Sequence, residues 1–341
     1  MKILHTSDWH IGNQLHKYDL CEDLNLFFNW LVHYIQTENI DVLLISGDIF
    51  DQANPSQAAY KQYYDLLKQL INLDCKVILT GGNHDSASVL NAPQELLKAF
   101  DITVIGGATN VVGEMFIEVE KDGEKIVVAA VPFLKDRDIR KSVAGETYAT
   151  KIEQIKSGLQ SYFANINACY QENYPDHTFI LMGHLYVQGS ELSESERDIQ
   201  IGNQAGVEAH MFEGIPQYVA LGHIHKPQII SDTQNIHYCG SPIPLSFSER
   251  EDEKQINIII IKDRKIDQLE IIPIPKYRNL LTFEGSLDEV ENKLNGYSEK
   301  TRLMSLAEVI VNEDSESLER RQAFEAFINS RPNENIEIVK S

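Results

Sequence analysis

Eight side chains stand out for the chemistry they could do together: Asp8, His10, Asp48, Asn83, His84, His184, His223 and His225. They offer oxygen and nitrogen donors and no thiolate, a set that suits manganese, iron or zinc better than a cysteine-bound structural zinc. Asp8 and His10 lie two residues apart, as do His223 and His225. On extended chain that spacing puts both side chains on one side, so each pair can converge on a metal centre. Two cations about 3.5–4 Å apart clamp the attacking and leaving oxygens of a phosphoryl transfer. With two carboxylates and one bridging hydroxide, such a centre carries a charge of about +1, which attracts an anionic phosphoester. Singly, an Asp-x-His or a Gly-His is as readily a turn as a ligand pair. The set carries the reading, not any one member.

The elements that must position these residues follow one pattern. A short apolar, β-branched run ends abruptly in a polar cluster: residues 2–7 before Asp8, 41–46 before Gly47-Asp48, 76–80 before Gly81 to Asp85, 178–182 before Gly183-His184, and 218–221 before Gly222 to His225. Runs of this kind predict strands covered on both faces. Between the first three lie helical stretches. Over 20–38, Leu20, Leu24, Phe27, Leu31 and Ile35 make one apolar face, with Phe28 and Trp30 pointing off it. A second helix is predicted from Asn54-Pro55 to about Leu73. Alternating strands and helices predict a layered α/β domain, whose ligand site lies beyond the carboxyl ends of the strands. All five polar clusters fall at that end. Two strands are predicted over 256–274 around a turn at Lys262 to Lys265. Residues 276–341 then read as strand (280–283), helix (286–294), strand (305–311), helix (315–328) and strand (336–339), with Ser286 and Glu289 at capping-box spacing. The expectation is two domains, 1–275 and 276–341.

The ordered set D-x-H (Asp8, His10), G-D-x-x-D (Gly47, Asp48, Asp51), G-N-H-D (Gly82 to Asp85), G-H (Gly183, His184) and G-H-x-H (Gly222 to His225) resembles the calcineurin-like metallophosphoesterases. Within that family, Ser7 to Gly12, Asp48 to Asp51, Ser195 to Ile199 and above all Tyr238 to Phe247 resemble the nuclease subunits of bacterial DNA-processing complexes. The resemblance implies an α/β/β/α sandwich with a small C-terminal α/β cap. It implies Asp8, His10 and His225 at a first metal, Asp48 bridging, and Asn83, His184 and His223 at the second, with manganese as the metal. The bridging hydroxide would be the nucleophile. His84 would face the phosphate and assist the leaving oxygen, oriented by Asp51. The implied activity is a double-strand exonuclease and a single-strand or hairpin endonuclease in DNA repair and recombination. It would act with an SbcC-type ATPase and as a homodimer through N-terminal domain helices. A further C-terminal segment docking on that ATPase is also implied, and the chain stops at Ser341 without one.

The net charge of −21, from 30 basic and 51 acidic residues, runs against a protein that coats nucleic acid. The 276–341 stretch is itself acidic, with nine basic and thirteen acidic residues. Lys135, Arg137, Arg140 and Lys141 form one local basic stretch that could position backbone phosphates without reading bases. DNA affinity is therefore expected to be modest and salt-sensitive, with the ATPase supplying the main DNA surface. Four scattered cysteines, no apolar run of membrane-spanning length and a polar start predict a cytoplasmic protein without a disulfide framework. The remaining histidines (His5, His16, His33, His177, His210 and His237) read as structural. Two rivals share the metal set: a phosphoesterase of small esters, and a subunit that holds metals without catalysis. A His84–Asp51 pair favours catalysis over the second.

Overall fold

Apolar β-branched runs must be covered on both faces, and two stacked sheets with outer helices achieve this. The computed structural model describes residues 1–340 apart from 142–144, 197–205, 213–215, 232–234, 313–321, 323 and 328–334. In the first sheet, strands Lys2–Thr6, Val42–Ser46, Lys76–Thr80 and Ile102–Ile105 pair in parallel. The hairpin Gln255–Lys262/Lys265–Pro273 adds two antiparallel strands beside Lys2–Thr6. Its turn residues Asp263 and Arg264 have φ of 51° and 60°, the left-handed pair that matches strand twist in a two-residue hairpin.

The second sheet runs in the order Gln228–Ser231, Ile236–Tyr238, Tyr218–Gly222, Thr178–His184, Glu124–Ala130, Phe116–Lys121. Its four inner strands are parallel and its two edges antiparallel. Ile3, Val42, Leu44 and Ile78 of the first sheet share one core with Phe179 to Met182 and Tyr218 to Leu221 of the second. Alternate residues point the other way: Leu4, Leu43, Ile45, Val77 and Leu79 pack under helices Cys21–Glu38 and Gln57–Leu70. Ile155, Leu159, Phe163 and Ile166 of the helix Tyr148–Asn173 cover the second sheet. The layers are α/β/β/α, as expected.

Three details differ from the sequence reading. The second helix is capped by Ser56, whose hydroxyl accepts from Ala59 N at 3.1 Å, so it begins after Asn54-Pro55 and ends at Leu70. Phe28, off the predicted apolar stripe, is nonetheless buried, against Trp9 with ring centroids 5.1 Å apart. The Tyr148–Asn173 helix is absent from the expectations.

Beyond Pro273 a third sheet of three parallel strands (Leu280–Gly285, Ser305–Val311, Ile336–Lys340) packs with helix Leu287–Gly296 around Phe283, Val290, Leu294 and Val309. Ser286 and Glu289 form the capping box: Glu289 Oε2 accepts from Ser286 N at 2.8 Å, and Ser286 Oγ accepts from Glu289 N at 3.4 Å. The helix expected over 315–328 falls largely outside the described residues. This unit is fastened to the first helix by a buried fork. Arg278 donates from Nε and Nη2 to the two Asp23 oxygens at 2.5 and 2.8 Å, its guanidinium 4.9 Å from the Tyr18 ring. Removing one partner leaves the other charge buried, which costs about 3–5 kcal/mol, whereas well-packed apolar pairs are often tolerated. Asp23→Ala is thus expected to lower the urea midpoint strongly, and Asp23→Leu with Arg278→Met to recover most of it.

Candidate metal centre

The site is assembled where parallel strands of both sheets end. After Lys2–Thr6 the chain turns through Asp8 and His10 with φ of 53° and 47°; after Val42–Ser46 it turns through Asp48 with φ of 47°. The two loops are zipped together: Asp8 N donates to Gly47 O at 3.1 Å, His10 N to Asp48 O at 3.0 Å, and Ile11 N to Ile49 O at 2.9 Å. His223, with φ of 101°, is a fourth left-handed donor residue. Non-glycine residues persist in such conformations only when their surroundings over-determine them. Asp8 and His10 therefore converge through left-handed turns, not through the extended spacing expected of them.

The donor atoms fall into three groups whose members lie within 4.8 Å of one another: Asp8, His10 and His225; Asp48, His184 and His223; and His10, Asp48 and His84. His223 and His225 thus part company, one to each of the first two groups, because the turn at His223 breaks the extended alternation. Asp48 stands between them, with Oδ2 3.6 Å from His10 Nε2 and 3.3 Å from His184 Nε2. Asn83 joins the second group: its Oδ1 lies 2.9 Å from His184 Nε2 and 3.1 Å from His223 Nδ1. The structure brings all eight singled-out residues to one place.

Electrostatics at this place call for cations. Burial pushes the Asp8 carboxyl up, and the histidines around it do not cancel that. Burial would raise Asp48 too, but His184 and then His10 hold it well below the usual carboxylate range. His184, which burial alone would lower, is raised to about 9 by Asp48 and Asp8. His10 Nε2 and His225 Nε2 face each other at 3.1 Å, as two lone pairs do when they share a cation. Buried His223 Nε2 has no hydrogen-bond partner. Oxygen and imidazole donors without thiolate fit divalent metal ions.

Asp51 meets His84 through its main chain. His84 Nδ1 lies 2.7 Å from the Asp51 carbonyl oxygen, so the main chain holds the ring. The Asp51 carboxylate accepts from Asn13 Nδ2 at 2.8 Å and stands 3.4 Å from His10 Nδ1. Burial would raise it, but the contacts with His10 and Asn13 bring it down to about 2.

Arg140 is also corrected. It pairs with Glu146 at 2.9 Å and Asp136 at 3.1 Å with its side chain buried, which leaves Lys135, Arg137 and Lys141 of the basic stretch outward. Among the other histidines, His5 is buried 3.1 Å from Tyr218 Oη, and His237 stacks on Tyr218. His16 stacks on Phe247 and lines a cleft of about 500 Å³ with Ile11, Asp51 and Asn54.

Two positioning residues escaped the sequence reading. Ser7 Oγ donates to Asp8 Oδ2 at 2.5 Å. Asp85 accepts from Gly82 N, Phe50 N and Ile49 N at 2.8, 2.9 and 3.0 Å, fastening two loops. Its place in G-N-H-D was the available signal. Glycine is required at Gly82 and Gly222: a Cβ there would stand 2.1 Å from Asp48 Oδ1 and 1.8 Å from Ser46 O.

The chain belongs to the calcineurin-like phosphoesterase family, whose model matches residues 1–227. Among curated proteins it is similar to the D component of the nuclease SbcCD of Escherichia coli (strain K12), 31% identical over 297 residues, which is 86% of this chain and 73% of that one. It is likewise similar to the same component of the Bacillus subtilis (strain 168) nuclease, 28% identical over 347 residues, covering 97% and 85%. That of Rhodobacter capsulatus is 33% identical over 259 residues, covering 73% and 64%.

A divalent ion at 100 times its Kd stabilises a folded protein by about 2.7 kcal/mol per site. Addition of manganese is expected to raise the melting temperature of this protein and chelator to reverse the rise. Gly82→Ala, which displaces the Asp48 carboxylate, is expected to lose most of that response.

Proposed function

We propose that this phosphoesterase is a DNA phosphodiesterase, the nuclease of an SbcCD-type complex with an SbcC-type ATPase, acting as exonuclease and endonuclease in DNA repair. The observation that carries this reading is the reach of the similarity. Relatives whose names say nuclease align over 86% and 97% of the chain, well past residue 227, where the family match ends. On this reading residues 1–275 are the nuclease domain and 276–341 its cap.

Asp8, His10 and His225 would hold one metal ion, Asn83, His184 and His223 the other, and Asp48 both; the grouping of the donors and the place of Asp48 between them support this. We take the metal to be manganese. When bound, the two ions supply positive charge for the phosphate and an acidified water for hydrolysis.

Proximity alone groups His84 with the ligands, so its separate role rests on the family resemblance. The hydrogen bond to the Asp51 carbonyl places a proton on Nδ1, so a proton exchanged with the leaving group passes through Nε2. From there His84 would steady the phosphate and protonate the leaving oxygen. Asp51 contributes through its carbonyl, and its carboxylate orients His10.

The charge of −21 leaves DNA binding to the partner and to local cations such as Lys135, Arg137 and Lys141. Homodimer contacts fit the outer helices, where Trp30 is half-buried and Tyr64 is exposed. A cytoplasmic location agrees with four free cysteines. Among the described residues no helix is long and apolar enough to cross a membrane.

Cleavage of a labelled linear duplex with added manganese tests the reading, with a bis-aryl phosphodiester alongside. Manganese-dependent DNA cutting is expected. His84→Ala is expected to lower it by about 10²–10⁴-fold, the usual worth of a proton-transfer group, while metal binding persists. Turnover of the small ester with intact DNA would instead assign a small-molecule phosphoesterase.

A further inference from the structure

Behind His225 lies a buried polar assembly that the metal set does not require. His225 turns Nε2 toward His10, and its Nδ1 lies 2.6 Å from Ser195 Oγ. The Ser195 hydroxyl in turn contacts Glu249 Oε1. Nε2 faces the donor group, so the ring proton belongs on Nδ1, and the chain of donors has one direction: imidazole N–H to hydroxyl oxygen, hydroxyl hydrogen to carboxylate. Glu249 is fully buried. Its Oε2 accepts from Lys254 Nζ at 2.6 Å and from Ser241 Oγ at 3.2 Å.

The same assembly grips the main chain of His225 on both sides. Lys254 Nζ donates to His225 O at 3.0 Å, and His225 N donates to Glu196 Oε1 at 2.8 Å. Glu196 is itself fixed, accepting from Ser193 N at 2.6 Å and Ser193 Oγ at 2.8 Å. His184, by contrast, has Nδ1 2.9 Å from a plain backbone carbonyl, that of Ser46. A carboxylate one hydroxyl away makes an imidazole a stronger donor and fixes its rotamer and tautomer.

We infer that Ser195, backed by the buried Glu249–Lys254 pair, is a positioning residue that sets the affinity of the metal site holding His225 without touching metal or substrate. The inference rests on the reading above that His225 binds a metal ion. It also explains the course of the 193–196 segment, which fastens one metal ligand to the Phe247–Glu249 turn. Glu194 N meets that turn as well, at Ser248 Oγ, 3.2 Å away.

The test is calorimetric titration of manganese into metal-free wild type, His225→Ala, Ser195→Ala, Ser195→Thr and Glu249→Gln, with circular dichroism to check the fold. Wild type is expected to bind two ions and His225→Ala to lose one. Ser195→Ala is expected to weaken one of the two ions by about 10–100-fold, the usual effect of losing such an outer partner, and to leave the other unchanged. Ser195→Thr, which keeps the hydroxyl, restores the affinity. Glu249→Gln, which keeps shape but not charge, repeats the one-sided loss. General loosening of the fold would weaken both ions together and overturns the inference. So does Ser195→Ala binding both ions as wild type does while His225→Ala loses one, a result that leaves the metal reading standing. Two ions bound unchanged by His225→Ala, or none by wild type, removes the metal reading and this inference with it.

Discussion

Two carboxylates, Asp8 and Asp48, sit fully buried at the seam between two sheets, and the rest of the structure is arranged around that fact. A buried carboxylate is tolerated only when hydrogen bonds and positive charge surround it. Here the hydrogen bonds come from fixed groups: His223 N donates to Asp8 Oδ1 at 2.9 Å and His84 N to Asp48 Oδ1 at 2.8 Å. The positive charge is left to imidazoles in the protein alone, and to metal ions in the working site. Left-handed turns at Asp8, His10, Asp48 and His223 are what bring charge and hydrogen-bond donors to one point. The glycines beside them keep that point open.

Neither sheet can make the site alone. The first contributes Asp8, His10, Asp48 and Asn83, the second His184, His223 and His225. The polar contacts across the seam fix how the sheets meet: Ser46 Oγ donates to Ala220 O at 3.0 Å, and Tyr218 Oη lies between His5 Nδ1 and Asn257 Nδ2, 3.1 Å from each. An apolar seam would tolerate sliding. This one has a register, and donor atoms from opposite sheets come together because of it.

Much of the site was legible because its residue types are unusual at strand ends, and Asp8, His10, Asp48, Asn83, His84, His184, His223 and His225 all arrive together. The reason given for their convergence was not legible. A spacing of two promises a shared side only on extended chain, and the left-handed turns at His10 and His223 are a tertiary outcome. Asp51 shows a related limit: its type suggests a carboxylate at work on His84, while the contact uses its carbonyl, which every residue possesses. Ser195 and Glu249 lie 54 positions apart, and no local pattern joins them. The Tyr148–Asn173 helix buries only Ile155, Leu159, Phe163 and Ile166 of its 26 residues, so its apolar stripe is thin against a polar background.

The Arg278–Asp23 fork has a mechanical consequence. Arg278 comes from the strand-entry side of the third sheet, and its guanidinium rests on Tyr18, whose neighbours His16, Lys17 and Asp19 line the cleft beside the metal centre. A cation held rigidly by two oxygens and pressed on a ring transmits displacement in both directions. The fork therefore ties the C-terminal sheet to residues 16–19 in the wall of that cleft. Through one guanidinium the small third sheet, the first helix and the cleft wall share a single anchor.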